Sequence, residues 1–262
     1  MAERSSSLAS RGRSDGEMTS AREQGGGILK FLATIDRRIV YFVLFVLVVG
    51  PLISPIGMPI SVAPDTVQYH NAIAQLGPDD VVLLHLGTEF SGWNELSAGA
   101  MASAKMVVER EAKLVIIVGH PEATGIPPLI YEGLKGVMEA KGYKYREDTL
   151  NLGYMFPNEP AVAAAAADFH GLVRTDYLGN SIEGTFLDKV KTAADWALII
   201  DINTGIWNQA LINHWRLPFG TKIVAHIIGV MVSGAKANVD AGLYEGSLGS
   251  LRGGAELEYM IK

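Results

Sequence analysis

Between Arg38 and Asp65 the chain carries no charged residue for 26 positions, and this interval limits what it can fold into more than any other feature. From Ile39 it reads IVYFVLFVLVVGPLISPIGMPISVAP. A helix needs about 20 mostly apolar residues to cross the hydrocarbon of a bilayer, so the interval is long enough for a span and too long for an ordinary buried core helix. Pro51, Pro55 and Pro59 limit the regular helix. The pattern predicts a helix from about Asp36 to Ile53 followed by a kinked or extended exit. Ser61-Val62-Ala63 has the small residues that a signal peptidase reads. However, the apolar stretch exceeds the usual h-region of about 7 to 15 residues and Pro64 follows directly, which favours an uncleaved signal-anchor.

Charge placement gives this anchor a direction. Arg4, Arg11, Arg13, Arg22, Lys30, Arg37 and Arg38 precede it, and no Lys or Arg follows before Lys105. The positive-inside bias therefore predicts a membrane protein with a cytoplasmic N-terminus and an extracytoplasmic main domain. Residues 1–27 have almost no large apolar side chains and read as a disordered cytoplasmic tail. Residues 28–63 form the anchor with its flanks, and 64–262 form one folded domain. The lipid bilayer is thus the first expected partner, through Ile39 to Ile53 and the flanks. With 28 acidic against 22 basic residues, the chain lacks the basic excess that draws proteins to nucleic acid. The lack of cysteine excludes thiol catalysis, iron–sulfur clusters and cysteine zinc sites, without distinguishing a reducing from an oxidising compartment.

In the folded domain, apolar runs of strand length recur at Val81 to Leu86, Leu114 to Val118, Thr149 to Met155, Ala197 to Ile202 and Ile223 to Val232. Helix-length segments lie between them. Asn94 to Ala112 places Leu96, Ala100, Met101, Ala104, Val107 and Val108 on one face, and Pro127 to Lys141 repeats Ile130, Leu134, Val137 and Met138. Ala161 to Leu172, Ile182 to Lys191 and Gly205 to Trp215 continue the scheme. Runs that are continuous rather than alternating imply strands buried on both faces. The expected fold is α/β, with a Rossmann-like or flavodoxin-like, mainly parallel sheet of about five strands behind one N-terminal transmembrane helix.

The strand Val81 to Leu86, the phrases Asn151-Leu152-Gly153-Tyr154 and Thr175-Asp176-Tyr177-Leu178-Gly179, the strand Ile199-Ile200-Asp201 and the ending Gly249 to Glu256 together resemble an uncharacterised prokaryotic family. Its members carry one apolar N-terminal helix and an α/β domain that ends in a Gly-Leu-Arg/Lys-Gly-Ala-Ala-Glu type of motif. This chain departs from that pattern at Gly254 and Leu257. The resemblance implies a membrane-anchored architecture and no particular activity.

In an open parallel sheet, ligands bind beyond the carboxyl ends of the strands, above all where the strand order reverses. The polar residues that follow the strands are therefore the crevice candidates: Glu89 and Ser91, His120 and Glu122, and Asp201, Asn203 and Thr204. The same residue types also cap helices and close turns. The small-residue loop from Gly119 to Gly125 lacks the spacing of a P-loop or of G-x-G-x-x-G, and its prolines remove N–H donors that a phosphate would use. The six histidines show no metal-ligand spacing, and His85 and His226 read as core residues inside apolar strands. No cofactor is specified. The glycine-rich end from Gly242 to Glu256 reads as a helix with a flat surface, since Gly246, Gly249, Gly253 and Gly254 permit close approach of another backbone. That surface either docks on the domain's own sheet or forms a contact with a protein partner or second copy, with Arg252 and Glu256 at the rim. Two functions follow as expectations. One is a membrane-anchored binding or assembly module, a subunit of a larger membrane complex; the alternative is an anchored enzyme or small-ligand receptor using the strand-end crevice.

Overall fold

The structure, a computed structural model, describes residues 35–53, 61–205 and 208–262. The chain divides after Pro59 into two units. In the first, helix α1 (Arg37–Ile53) starts where Asp36 Oδ1 accepts from the Arg38 N–H, and its side chains from Ile39 to Val48 are exposed. Among the described residues no helix is long and apolar enough to cross a membrane. The 17 residues of α1 extend about 25 Å at about 1.5 Å each, short of a hydrocarbon core of roughly 30 Å. The tail 1–27, the flank 28–34 and the exit past Pro55 and Pro59 lie outside the described residues.

The second unit begins with α2 (Pro64–Ala74), where Pro64 occupies the first helical turn. It continues through β1 (Val81–Gly87), α3 (Phe90–Glu109), β2 (Lys113–Val118), α4 (Ile126–Lys141) and β3 (Thr149–Tyr154). Helices α5 (Glu159–Ala167) and α6 (Phe169–Leu172) lead to β4 (Leu198–Asn203). Then come α7 (Asn208–Leu211), a π-helical turn at Ile212–Arg216, α8 (Leu217–Phe219), β5 (Ile223–Ile227), α9 (Val232–Asp240), β6 (Gly246–Gly249) and α10 (Ser250–Met260).

The strands form one parallel sheet in the order β3-β2-β1-β4-β5-β6, the Rossmann order of a doubly wound fold rather than the flavodoxin one. All seven residues of β1 are buried, because helices cover both faces. On one face Val82, Leu84 and Leu86 join side chains of α2, α3, α4 and α10; on the other Val81 and Leu83 join α5, α6, α9 and the π-helical turn.

Three expectations need correction. The sheet has six strands, not about five, because Gly246–Gly249 pairs with β5 as a strand inside the segment read as a helix. Its sequence, Gly-Ser-Leu-Gly, carries almost no strand propensity, and tertiary pairing overrides that. The expected helix Ile182 to Lys191 contains only a 3-10 turn at Phe186–Lys189. The run from Ile223 yields a strand of five residues, after which Gly229–Met231 turns the chain into α9.

Candidate functional site

Strand order reverses between β1 and β4, and the loops that leave these two strands meet there. The Thr204 N–H donates to the Gly87 carbonyl at 3.3 Å. Gly92, in the first turn of α3, packs against both loops: a Cβ there would lie 2.5 Å from Thr204 Cγ2 and 2.7 Å from Thr88 Oγ1. Only glycine allows the helix to start this close. Glu89 is the N-cap residue of α3, yet its carboxylate caps no backbone N–H and instead accepts from Ser91 Oγ at 3.3 Å. Glu89 and Thr204 are half-buried and Ser91 is exposed, so the polar groups face outward at the mouth of the switch point.

Beneath them lies a buried polar network. The parallel register sets His85 of β1 beside Asp201 of β4, and Nδ1 and Oδ1 meet at 2.7 Å with both side chains fully enclosed. An ionised carboxylate only accepts, so Nδ1 carries the proton and donates. Asn203 Nδ2 donates to Asp201 Oδ2 at 3.1 Å, and Asn203 Oδ1 accepts from the Gly205 N–H. The chain Gly205–Asn203–Asp201–His85 thereby ties the exit of β4 to the middle of β1. His85 Nε2 has no hydrogen-bond partner among the described residues and faces Gly119, where a Cβ would lie 2.4 Å away. A carboxylate behind Nδ1 with Nε2 left free is the arrangement of an oriented proton acceptor. Here the ring is closed in by Gly119 and by Phe156, whose centroid is 5.6 Å away, and the pair cross-links β1 to β4.

The β2 exit contributes less than its residue types suggest. His120 Nδ1 accepts from the backbone N–H of Glu122 at 3.3 Å, capping the 3-10 turn Pro121–Gly125, while the Glu122 side chain is exposed. These two residues form the cap of this turn. Thr124 lines a 320 Å³ cavity over the ends of β2 and β3 together with Pro127, Gly153, Tyr154 and Tyr177. A cavity of 580 Å³ opens at the opposite end of the sheet, among Asp80, Trp196, Lys222 and Glu245, where the strands begin. It contains none of the switch-point groups. Among the described residues no group of three His, Asp or Glu is arranged to hold a metal ion.

Of the two readings of the glycine-rich end, the structure shows docking within the domain. Gly246, Gly253 and Gly254 are buried within their own domain: added Cβ atoms would meet the Tyr69 backbone at 2.2 Å, the Leu248 backbone at 2.9 Å and the Gly99 nitrogen at 2.9 Å. A Cβ on Gly249 would meet Val232 Cγ2 at 2.8 Å. The flat surface packs within the domain, β6 against α2 and α10 against α3. Glu256, expected at a rim, is buried. Its Oε2 accepts from the Ala63 N–H at 2.9 Å and Thr66 Oγ1 at 2.8 Å, and its Oε1 accepts from Arg252 Nε at 2.8 Å. Burial pushes this carboxyl's pKa up, and those three donors more than offset it, holding the group below its ordinary value. Only Arg252 of the set is exposed.

The fold places the candidates Glu89, Ser91, Asp201, Asn203 and Thr204 at the exits of β1 and β4, and adds a pairing that the sequence did not show, Asp201 with His85. Two polar residues inside apolar runs were the available signal; their adjacency exists only once β1 and β4 pair. No family model, curated protein or solved structure matches this chain.

Proposed function

We propose that the α/β domain binds a small polar molecule at the β1/β4 switch point and that the charge-free segment from Ile39 anchors it to a membrane. The carrying observation is the reversal of strand order at β1/β4 with Glu89, Ser91 and Thr204 at its mouth and the Asp201–Asn203 network fixing the loop below. Such reversals form the ligand crevices of doubly wound sheets. The Glu89 carboxylate at the start of α3 repels an anion where a dinucleotide's pyrophosphate would otherwise sit, and Gly92 is packed against threonines rather than open to a phosphate. This chemistry suits a neutral or cationic ligand bearing hydroxyl or amino donors.

The test is native mass spectrometry of the full-length protein extracted in gentle detergent. Retention of one small molecule that is lost in Glu89→Gln and Thr204→Val variants with unchanged circular dichroism supports the crevice. Silence of both substitutions in folded protein sinks it. Anchoring rests on the exposed apolar side chains of α1 and the one-sided charge. Resistance to alkaline carbonate extraction, with the domain accessible to protease on spheroplasts, is the expected behaviour of a chain with its N-terminus in the cytoplasm.

The assembly reading keeps one favourable observation. Leu251 and Tyr259 lie exposed eight residues apart on α10, with exposed Ala255 between them, forming an apolar stripe. A Leu251→Glu/Tyr259→Glu variant that dissociates a native assembly would favour that reading over the crevice.

A further inference from the structure

On the β3 side of the sheet, away from the switch point, three tyrosines from separate segments line one cavity of 340 Å³. Tyr131 comes from α4, Tyr145 from the turn that precedes β3, and Tyr177 from the loop after α6. Pro128, Glu132 and Asn151 complete the lining. The rings stand nearly at right angles to their neighbours: 74° between Tyr131 and Tyr145 at 6.4 Å, and 87° between Tyr145 and Tyr177 at 6.3 Å.

The polar ends of Tyr131 and Tyr145 are already used inward. The Tyr131 hydroxyl pairs with Thr149 Oγ1 at 3.0 Å, and the Tyr145 hydroxyl donates to Asp176 Oδ2 at 3.2 Å and to the Asn151 carbonyl at 3.5 Å. Burial pushes both phenols up from their ordinary pKa, which keeps them neutral. Tyr177 is held by its backbone N–H on the Asn151 carbonyl at 3.0 Å and by the flanking Asp176 turn, where Asp176 Oδ1 accepts from the N–H groups of Leu178 and Asn180. Asn151 Oδ1 accepts from the Gly153 N–H. What Tyr131 and Tyr145 offer a visitor is therefore ring surface, not hydroxyl chemistry.

The charge around the cavity is negative. Glu132 has no ion pair or hydrogen bond among the described residues, and the lining contains no Lys, Arg or His. Asp176 stands behind Tyr145, its charge shared with Arg146 Nη1 at 3.5 Å. Aromatic faces with an unneutralised carboxylate attract an organic cation through the ring quadrupole and through charge. We propose that the Tyr131–Tyr145–Tyr177 cavity binds the head of a small quaternary ammonium compound, with Glu132 balancing its charge. The three segments are far apart in the chain, so this cage is absent from any local motif.

The experiment is a titration of full-length protein, in a maltoside detergent that carries no ammonium group, with choline and with its uncharged carbon isostere 3,3-dimethylbutan-1-ol, read by isothermal calorimetry. Saturable choline binding is expected, with the isostere at least about ten-fold weaker. Tyr177→Ala, at a side chain 54% exposed and therefore tolerant of substitution, should abolish it, and Tyr177→Phe should retain it. Glu132→Gln should weaken choline about three- to ten-fold and leave the isostere unchanged. Equal affinity for the two compounds, no choline binding, or full binding by a folded Tyr177→Ala protein would overturn the assignment.

Discussion

His85 and His226 lie two strands apart in the same sheet, each buried, on opposite faces, and the sheet treats them differently. His85 faces a carboxylate: its Nδ1 donates a hydrogen bond to Asp201 Oδ1 at 2.7 Å. Among the described residues His226 meets a carbonyl, donating from Nε2 to Ser250 O at 3.2 Å, and its Nδ1 has no partner. Ser250 adopts φ 58°, an uncommon backbone for a residue with a side chain, as the chain turns from β6 into α10. Burial drives the His226 pKa down to about 4, only partly opposed by the Ser250 carbonyl and the nearby Glu95. Each ring is backed by a glycine, Gly119 for His85 and Gly99 for His226, where a Cβ would lie 2.4 Å from the ring. Steric accommodation is therefore common to the two sites. The difference is the charge of the partner, which makes one histidine part of a positioned network at the switch point and the other a neutral packing element beneath α3 and α10.

The largest effect that would sharpen this contrast is His85→Leu. It strands the Asp201 carboxylate in the interior with Asn203 as its side-chain partner, and should cost about 3 to 5 kcal/mol in urea denaturation at pH 7.5. A cost below about 1 kcal/mol would mean that Asp201 does not depend on His85.

Next comes pH. The unfolded His226 takes a proton near its ordinary value of 6.5, while the folded one resists until about 4, so the unfolded state binds more protons between them. Stability contributed by this group is full above pH 6.5 and falls by about 3 kcal/mol as pH drops to 4. His226→Leu should flatten that slope; an unchanged slope would place the titration elsewhere.

The two glycines should then behave alike. Gly119→Ala and Gly99→Ala each push a methyl into an imidazole and should cost about 1 to 3 kcal/mol. A large asymmetry between them would break the claim of equal steric accommodation. The smallest expected effect is His226→Leu at pH 7.5, within about 1 kcal/mol of the parent, because a neutral ring with one long hydrogen bond gives up little to an apolar side chain. If it proved as costly as His85→Leu, the carboxylate would not be what separates the sites.

Much of the fold was legible before the structure. Val81 to Leu86 and Leu114 to Val118 are unbroken apolar runs, and burial on both faces of a parallel sheet follows from that alone. The Leu96-to-Val108 and Ile130-to-Met138 stripes mark the helices that cover them. The polar residues at the strand exits were legible by type, since Glu89, Ser91, Asn203 and Thr204 stand at or after strand ends. Their convergence was not, because adjacency of β1 with β4 is a property of strand order and residues 85 and 201 are far apart in the chain. The glycine-rich end was misread for a related reason. Gly246-Ser247-Leu248-Gly249 has little intrinsic preference, and its strand state is set by pairing with β5 and by the Tyr69 backbone lying where a side chain would be.

The sequence by itself determined a parallel α/β domain behind a long charge-free segment, because hydrophobic periodicity and charge are local quantities that a chain carries whether or not it is folded. Tertiary structure alone decided that the order is 3-2-1-4-5-6, that Asp201 belongs to His85, that the glycines serve contacts within the domain and that three distant tyrosines share one cavity. Those outcomes depend on which surfaces meet, and that is fixed by the burial of the whole domain, not by the preferences of any one segment.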